Sequence, residues 1–174
     1  MSELGLLQVY TGDGKGKTTA ALGLSLRAVG HGLHVLFLQF LKNDETYGEC
    51  LAKGLLPHFE LIPVGRDAFV DFKNPDPIDV ELVKKGWEKA VKAIASRSYD
   101  LVVLDELTLA IAFDLLPLDT VLSFLELPHE GTEVVITGRY APEELLDLAD
   151  LVTEMKEIKH YFRQGTDSRD GIDH

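Results

Sequence analysis

The chain has 174 residues, a formal net charge of −12 at pH 7, and 45% hydrophobic against 26% charged residues. This composition is typical of a folded globular protein, and the length favours one domain over residues 1–174. Nucleic acids bind basic surfaces, so the acidic net charge disfavours a nucleic-acid partner. The sequence has no apolar run long enough for a membrane span and no signal-segment pattern, so we expect a cytoplasmic protein without a membrane partner.

A glycine-rich loop at residues 11–19 follows an apolar run at residues 6–10 and precedes an apolar helical pattern. Its glycines let backbone N–H groups point at phosphate oxygens, Lys17 adds a positive charge, and the Thr18 hydroxyl can ligate Mg²⁺. The loop departs from the pattern G-x-x-x-x-G-K-[ST] at Thr11, and the alternative is a turn that only caps a helix. The candidate nucleotide-binding residues are Gly12, Asp13, Gly14, Lys15, Gly16, Lys17, Thr18 and Thr19.

Three uninterrupted apolar runs, at residues 35–38, 101–104 and 134–136, predict parallel strands that are covered on both faces. Helical patterns lie between them. Residues 18–29 are apolar almost all round, so we expect that helix to be buried against the sheet. A helix from Pro77 is signalled by an N-cap at Asp76 and by an apolar stripe, and another is expected near Pro142. The stripe comprises Val83, Trp87, Ala90, Val91 and Ile94.

This alternation predicts an α/β fold of the P-loop NTPase-like (RecA-like) class, with a mainly parallel sheet and helices on both faces. Ligands of such sheets bind beyond the carboxyl ends of the strands. Asp105 and Glu106 follow one apolar run and could hold Mg²⁺ directly or through water. Arg139 follows the next run and could reach a phosphate. Alternatively, Asp105 and Glu106 are only favourable acids at a helix N-terminus. Arg139 could likewise form only a surface ion pair.

Two loops offer further candidates. Lys42 and Glu49 follow the second strand and are either ligand contacts or parts of a solvated connection. Phe69 and Phe72 lie in a polar loop, where aromatic rings either bind a ligand or pack onto their own domain. Cys50, the single cysteine, excludes an intramolecular disulfide and favours a packing role over a reactive thiol.

Four blocks, at residues 11–21, 39–42 with 48–49, 104–118 and 135–173, resemble the ATP:corrinoid adenosyltransferase family, the cob(I)alamin adenosyltransferases of the CobA type. They cover nearly the whole chain. The resemblance implies that the Co(I) of a reduced corrinoid attacks the 5′ carbon of ATP and expels triphosphate, which is the activity classed as EC 2.5.1.17. It also implies that ATP binds in a direction opposite to that in P-loop hydrolases, with Mg²⁺ or Mn²⁺ as the metal.

The resemblance assigns roles to individual residues. It implies catalytic roles for Lys17, Thr18, Asp105 and Glu106, the last three as metal ligands. It implies that an aromatic residue, Phe69 or Phe72, excludes the lower axial ligand of the corrinoid, although this loop lacks the tryptophan that some members carry. An electron donor such as a flavoprotein and a homodimer are implied as well.

Two other function classes compete with adenosyl transfer. One is an ATP-hydrolysing P-loop NTPase or kinase, with Glu106 as the base. The other is a nucleotide or corrinoid carrier without catalysis. Their products differ, because only adenosyl transfer yields an adenosylcorrinoid with triphosphate, whereas hydrolysis yields ADP with phosphate and a carrier yields neither.

Overall fold

The computed structural model describes residues 4–43, 45–68 and 70–174. Helices and strands alternate along most of the chain. In order, they are β1 (Leu7–Thr11), α1 (Lys17–Gly30), β2 (Val35–Phe40), α2 (Gly48–Ala52), β3 (Phe59–Val64), α3 (Pro77–Ser96), β4 (Leu101–Asp105), α4 (Leu107–Ala112), α5 (Leu118–Leu125), β5 (Glu133–Thr137), α6 (Glu143–Leu148) and β6 (Leu151–Glu154). A 3₁₀ turn, Tyr161–Gln164, follows.

The strands form one six-stranded sheet in the order β3-β2-β4-β5-β1-β6, and every pairing is parallel. The predicted strands β1, β2, β4 and β5 occupy its middle and are confirmed. The register aligns Gln39 with Asp105 and Tyr10 with Thr137, so the carboxyl ends of the four central strands meet at one edge. Among the described residues, no helix is long and apolar enough to cross a membrane.

Helices cover both faces of the sheet, as predicted. Alternate residues of a central strand serve opposite layers, so Leu36 and Leu38 pack under α3 to α6 while Phe37 packs under α1 and α2. The expectation that α1 is buried against the sheet is confirmed for one side of the helix: Ala21, Ala28 and other residues there are buried, but Leu26 is 57% exposed. A helix that packs on one sheet face buries one stripe and leaves the rest to solvent.

The α3 helix begins as its sequence predicts. The Asp76 carboxylate accepts a hydrogen bond from the Ile78 N–H, and Pro77 occupies the first turn. Asp79, an acid in the same first turn, is buried and forms a bidentate ion pair with Arg66, at 2.7 and 2.8 Å. This pair fixes the loop after β3 to the helix that follows it.

Candidate active site

Asp105, the last residue of β4, lies at the centre of the site and is fully buried. Its Oδ1 accepts hydrogen bonds from the hydroxyls of Thr18, at 2.8 Å, and Thr137, at 2.6 Å. Its Oδ2 accepts a hydrogen bond from Lys42 Nζ at 3.0 Å. One carboxylate therefore joins the phosphate loop to the carboxyl ends of β2, β4 and β5.

The charge on Lys42 is set by its neighbours. Burial alone disfavours the ammonium, but the carboxylates of Asp105 and Glu106 outweigh it and raise the pKa of Lys42 above its usual value. Lys42 is therefore a fixed cation at neutral pH. The sequence offered Lys42 either as a ligand contact or as part of a solvated connection, and the structure places it inside the site.

Glu106 differs from Asp105 in its hydrogen bonding. Its backbone adopts the left-handed conformation, with φ 61°, and its side chain makes no capping hydrogen bond to α4. Within the part of the chain that the structure describes, its Oε2 atom is buried and has no hydrogen-bond partner. Burial, reinforced by the Asp105 charge, raises the pKa of Glu106. A partly unpaired carboxylate of this kind is suited to bind a cation.

The phosphate loop is closed around its own lysine. Lys17 is 6% exposed, and its Nζ donates to the carbonyl oxygens of Gly12 and Gly14 at 2.7 Å each. Burial lowers the pKa of Lys17. The chain after β6 lies against the loop, where the Met155 oxygen accepts a 2.6 Å hydrogen bond from the Gly14 N–H. A Cβ at Gly12 or Gly14 would come within 2.5 or 2.6 Å of that oxygen, so packing requires both glycines, and Gly12 also has a positive φ of 98°.

A cavity of about 630 Å³ opens over the loop. Loop residues, Glu106 and Arg139 form its polar side. Its apolar side includes Phe72, Phe113 and Tyr140: Phe72 stacks on Phe113 with ring centroids 4.1 Å apart, and Tyr140 meets Phe113 edge-on at 6.1 Å. The cavity therefore combines groups for an anion with a flat apolar wall.

A second cavity of about 530 Å³ lies between α1, α2 and the C-terminal segment. Glu49 lines it and accepts a 2.8 Å hydrogen bond from the buried Gln39 amide. The two cavities share four lining residues, Thr18, Thr19, Lys42 and Asp173.

Most of the predicted site residues lie together. Lys15, Lys17, Thr18, Lys42, Glu106, Arg139 and Phe72 all line the larger cavity. The guanidinium of Arg139 donates to the Asp13 carbonyl oxygen at 3.3 Å, which holds it beside the loop. Phe69 lies outside the described residues, so its predicted role is not located. Cys50 is buried, in agreement with a packing role.

Sequence reasoning missed several residues of the site. Thr137 was not selected, although its position directly after the apolar run at residues 134–136 was a usable signal. Gln39 and Phe113 lay inside recognisable blocks without a role. Asp173 ended the fourth block without a role, because its partner Lys15 lies at the other end of the chain.

A glycine-rich phosphate loop between β1 and α1, facing an acidic strand end on β4, defines a P-loop nucleotide-binding protein with a RecA-like sheet. The flagellar accessory protein FlaH from Methanocaldococcus jannaschii shares this fold, with a TM-score of 0.53 and 15% identity over 86% of this chain and 70% of that chain. The family model ATP:corrinoid adenosyltransferase BtuR/CobO/CobP matches residues 3–174, and the chain belongs to this family.

Named relatives agree with this membership. The corrinoid adenosyltransferase of Escherichia coli (strain K12) is 43% identical over 99% of this chain and 87% of its own length. The corrinoid adenosyltransferase CobA of Salmonella typhimurium (strain LT2) is 40% identical over the same shares. The corrinoid adenosyltransferase of Pseudomonas aeruginosa is 34% identical over 98% of this chain and 84% of its own length. The family resemblance inferred from the sequence is confirmed.

Proposed function

We propose that the protein transfers the 5′-deoxyadenosyl group of ATP to the Co(I) of a reduced corrinoid, and that the reaction takes place in the larger cavity. The corrinoid is either cob(I)alamin or cob(I)yrinic acid a,c-diamide, and the activity is classed as EC 2.5.1.17. The observation that carries this proposal is one cavity in which a phosphate loop and the Glu106 carboxylate face an aromatic wall. Triphosphate fits the polar side. The wall suits a large, flat, partly apolar macrocycle.

The reaction is a nucleophilic substitution at carbon. Cobalt supplies the electron pair of the new Co–C5′ bond, and the C5′–O bond breaks with its electron pair on the triphosphate. The leaving group gains charge, so groups that stabilise its oxygens lower the barrier. Lys17 exchanges its two loop carbonyls for phosphate oxygens, and Arg139 lies beside the same loop. Catalysis is otherwise the positioning of two substrates.

The residues at the carboxyl edge fit a hard divalent cation. Thr18 directs its hydroxyl proton to Asp105, which leaves its oxygen lone pairs free for a metal. Glu106 offers the buried, unpaired Oε2, whereas the Asp105 oxygens are already occupied. We assign Thr18 and Glu106 as the ligands that would hold Mg²⁺ or Mn²⁺, with Asp105 acting through Thr18. The metal would neutralise charge on the triphosphate.

Of the two candidates for the ring that excludes the lower axial ligand of the corrinoid, only Phe72 lies among the described residues. Its stacking on Phe113 holds it at the cavity wall. Removal of a donor from the axial position favours the lower oxidation state of cobalt and so eases reduction to Co(I). A ring that only packs on Phe113 would affect reactions from cob(II)alamin and cob(I)alamin alike, whereas a ring that excludes the axial ligand acts on reduction alone.

Two further proposals, a flavoprotein electron donor and a homodimer, rest on the family resemblance. A single domain over residues 1–174 and a cytoplasmic location are proposed from length and composition.

Product analysis tests the proposed function. The protein is incubated with ATP, Mg²⁺ and chemically reduced cob(I)alamin, and the products are separated chromatographically. We expect adenosylcobalamin and triphosphate in equal amounts. ADP with phosphate, or no turnover at all, would overturn the proposal.

A further inference from the structure

The C-terminal segment, residues 160–174, lies against the phosphate loop although none of its residues is buried. Phe162 and Ile172, two of its apolar residues, are 66% and 61% exposed. Burial of apolar area is the usual force that holds a segment in place, and here it contributes little. Polar contacts must therefore keep the segment where it is.

These contacts converge on Asp173, whose side chain is 10% exposed. Its Oδ1 accepts from Lys15 Nζ at 2.9 Å and from the Tyr161 hydroxyl. Its Oδ2 accepts from the Arg169 Nε and backbone N–H groups at 3.0 and 3.1 Å. The Arg169 guanidinium in turn lies 4.7 Å from the centre of the Tyr161 ring. The carboxylate thus closes the segment on itself and joins it to the loop.

The joint with the loop is made by Lys15. Its ammonium also donates to the Ile172 carbonyl oxygen at 3.2 Å, so it holds two consecutive residues of the segment. On the far side of the segment, the His174 ring packs against the Tyr47 ring with centroids 5.2 Å apart. Asp173 lies between these contacts, at the boundary shared by both cavities.

We propose that Asp173 is a positioning residue for MgATP: by binding Lys15 it fixes the C-terminal segment as the wall between the two cavities. The identity of the ligand rests on the proposed function. The placement of the segment does not, because it follows from contacts within the chain. Loss of the Asp173 charge releases both Lys15 and the C-terminal segment. Nucleotide binding then weakens, because binding must order Lys15 and the segment again.

The test compares Asp173→Asn with Asp173→Glu, which keeps the charge, and with Asp167→Asn, the same change at an exposed residue of the same segment. Trypsin cleavage after Arg163 and Arg169 is followed by mass spectrometry without ligand, and MgATP affinity by calorimetry. Rates are measured with chemically reduced cob(I)alamin.

In Asp173→Asn we expect cleavage to accelerate and the KM for ATP to rise, each about tenfold, with kcat within about twofold of the parent. Asp173→Glu should recover part of both effects, and Asp167→Asn should match the parent. Unchanged cleavage in Asp173→Asn would overturn the proposal, as would a fall in kcat at constant KM. Absence of adenosylcobalamin from the parent would instead overturn the proposed function, since cleavage and calorimetry need no corrinoid.

A double-mutant cycle tests the route through Lys15. Lys15→Met weakens MgATP binding by itself, because the residue belongs to the phosphate loop. If Asp173 acts through Lys15, adding Asp173→Asn to Lys15→Met should change the MgATP Kd by less than about twofold. Fully additive effects on the Kd would overturn this route.

Discussion

Asp105 and Asp173 both accept hydrogen bonds from residues that line the larger cavity, yet their surroundings are opposite. Asp105 ends a strand in which every residue is buried, and its partners lie on other parts of the sheet edge or on the loop. Asp173 belongs to a segment without a buried residue, and most of its partners are in that segment. The first carboxylate is held by the core. The second holds its own segment.

This difference separates two ways of building a site. At the sheet edge, apolar packing of β2, β4 and β5 fixes the backbone, so polar side chains there are already oriented for ligands. In the C-terminal segment, the polar contacts themselves supply the order, and segments of that kind open at low cost in free energy. Loss of a buried contact at the edge should therefore lower the stability of the whole fold, whereas changes in the segment should alter only local order and ligand binding.

The largest effect should come from the loop lysine. Lys17→Ala should lower the rate of adenosyl transfer on the order of a thousandfold, because the leaving triphosphate loses a buried cation. Circular dichroism should show an unchanged fold. The exposed Lys84 provides a matched control, since Lys84→Ala removes the same charge far from the cavity. Thr18→Ala should likewise lose activity, and near-normal rates in both loop variants would contradict the site assignment.

Truncation of one apolar side chain in β4 and one in the C-terminal segment compares how much packing stabilises each region. Leu104→Ala, at a fully buried position next to Asp105, should lower the free energy of unfolding by about 2–5 kcal/mol. Phe162→Ala, in the exposed C-terminal segment, should change it by less than about 0.5 kcal/mol although a larger side chain is removed. Urea unfolding provides both values. Equal losses would show that the segment is part of the core.

The two neighbouring acids should separate stability from metal binding. Glu106→Gln should raise the Mg²⁺ concentration for half-maximal rate about tenfold or more and leave the urea midpoint near that of the parent. Asp105→Asn should also raise the Mg²⁺ concentration for half-maximal rate. Unlike Glu106→Gln, it should lower the free energy of unfolding by about 1–3 kcal/mol, because Lys42 loses its buried partner. If both metal titrations overlay the parent, the pair is only structural.

Much of this edge was predictable from sequence, for a physical reason. A strand that is buried on both faces must be apolar throughout, so β2, β4 and β5 appear as uninterrupted runs, and the polar residues after them mark the ligand edge. Strand β6 gave no such signal, because all four of its residues are exposed. The Lys42–Asp105 pair spans 63 residues, and only the register of the sheet brings the two together.

The aromatic wall allows a finer test. If Phe72 excludes the lower axial ligand, Phe72→Ala should slow adenosylation from cob(II)alamin with a mild reductant about tenfold. The reaction from preformed cob(I)alamin should change by less than about twofold, because attack on ATP depends on the phosphate loop. If Phe72 only packs on Phe113, both reactions should fall together with the melting temperature.

The smallest effect concerns a polar contact at the opposite end of the sheet, which calibrates what one surface hydrogen bond contributes. The Tyr99 hydroxyl donates to Glu60 Oε2 at 2.5 Å, and this bond raises the pKa of Tyr99 to about 12. Because the folded pKa exceeds the usual value of about 10, the contribution is complete below pH 10 and is lost as the pH rises towards 12.

Tyr99→Phe should therefore be less stable than the parent at pH 9 by no more than about 0.5 kcal/mol, since the pair is partly exposed to solvent. The difference in urea midpoint between the two proteins should shrink as the pH rises from 10 towards 12, because the Tyr99 hydroxyl ionises progressively and an ionised hydroxyl no longer donates. A difference that stays constant over this range would mean that ring packing, and not the hydrogen bond, accounts for the effect. A stability difference at pH 9 well above about 0.5 kcal/mol would mean that polar contacts outside the core contribute substantially to the stability of this fold. That result would contradict the view that apolar packing at the sheet, and not exposed polar contacts, stabilises the fold.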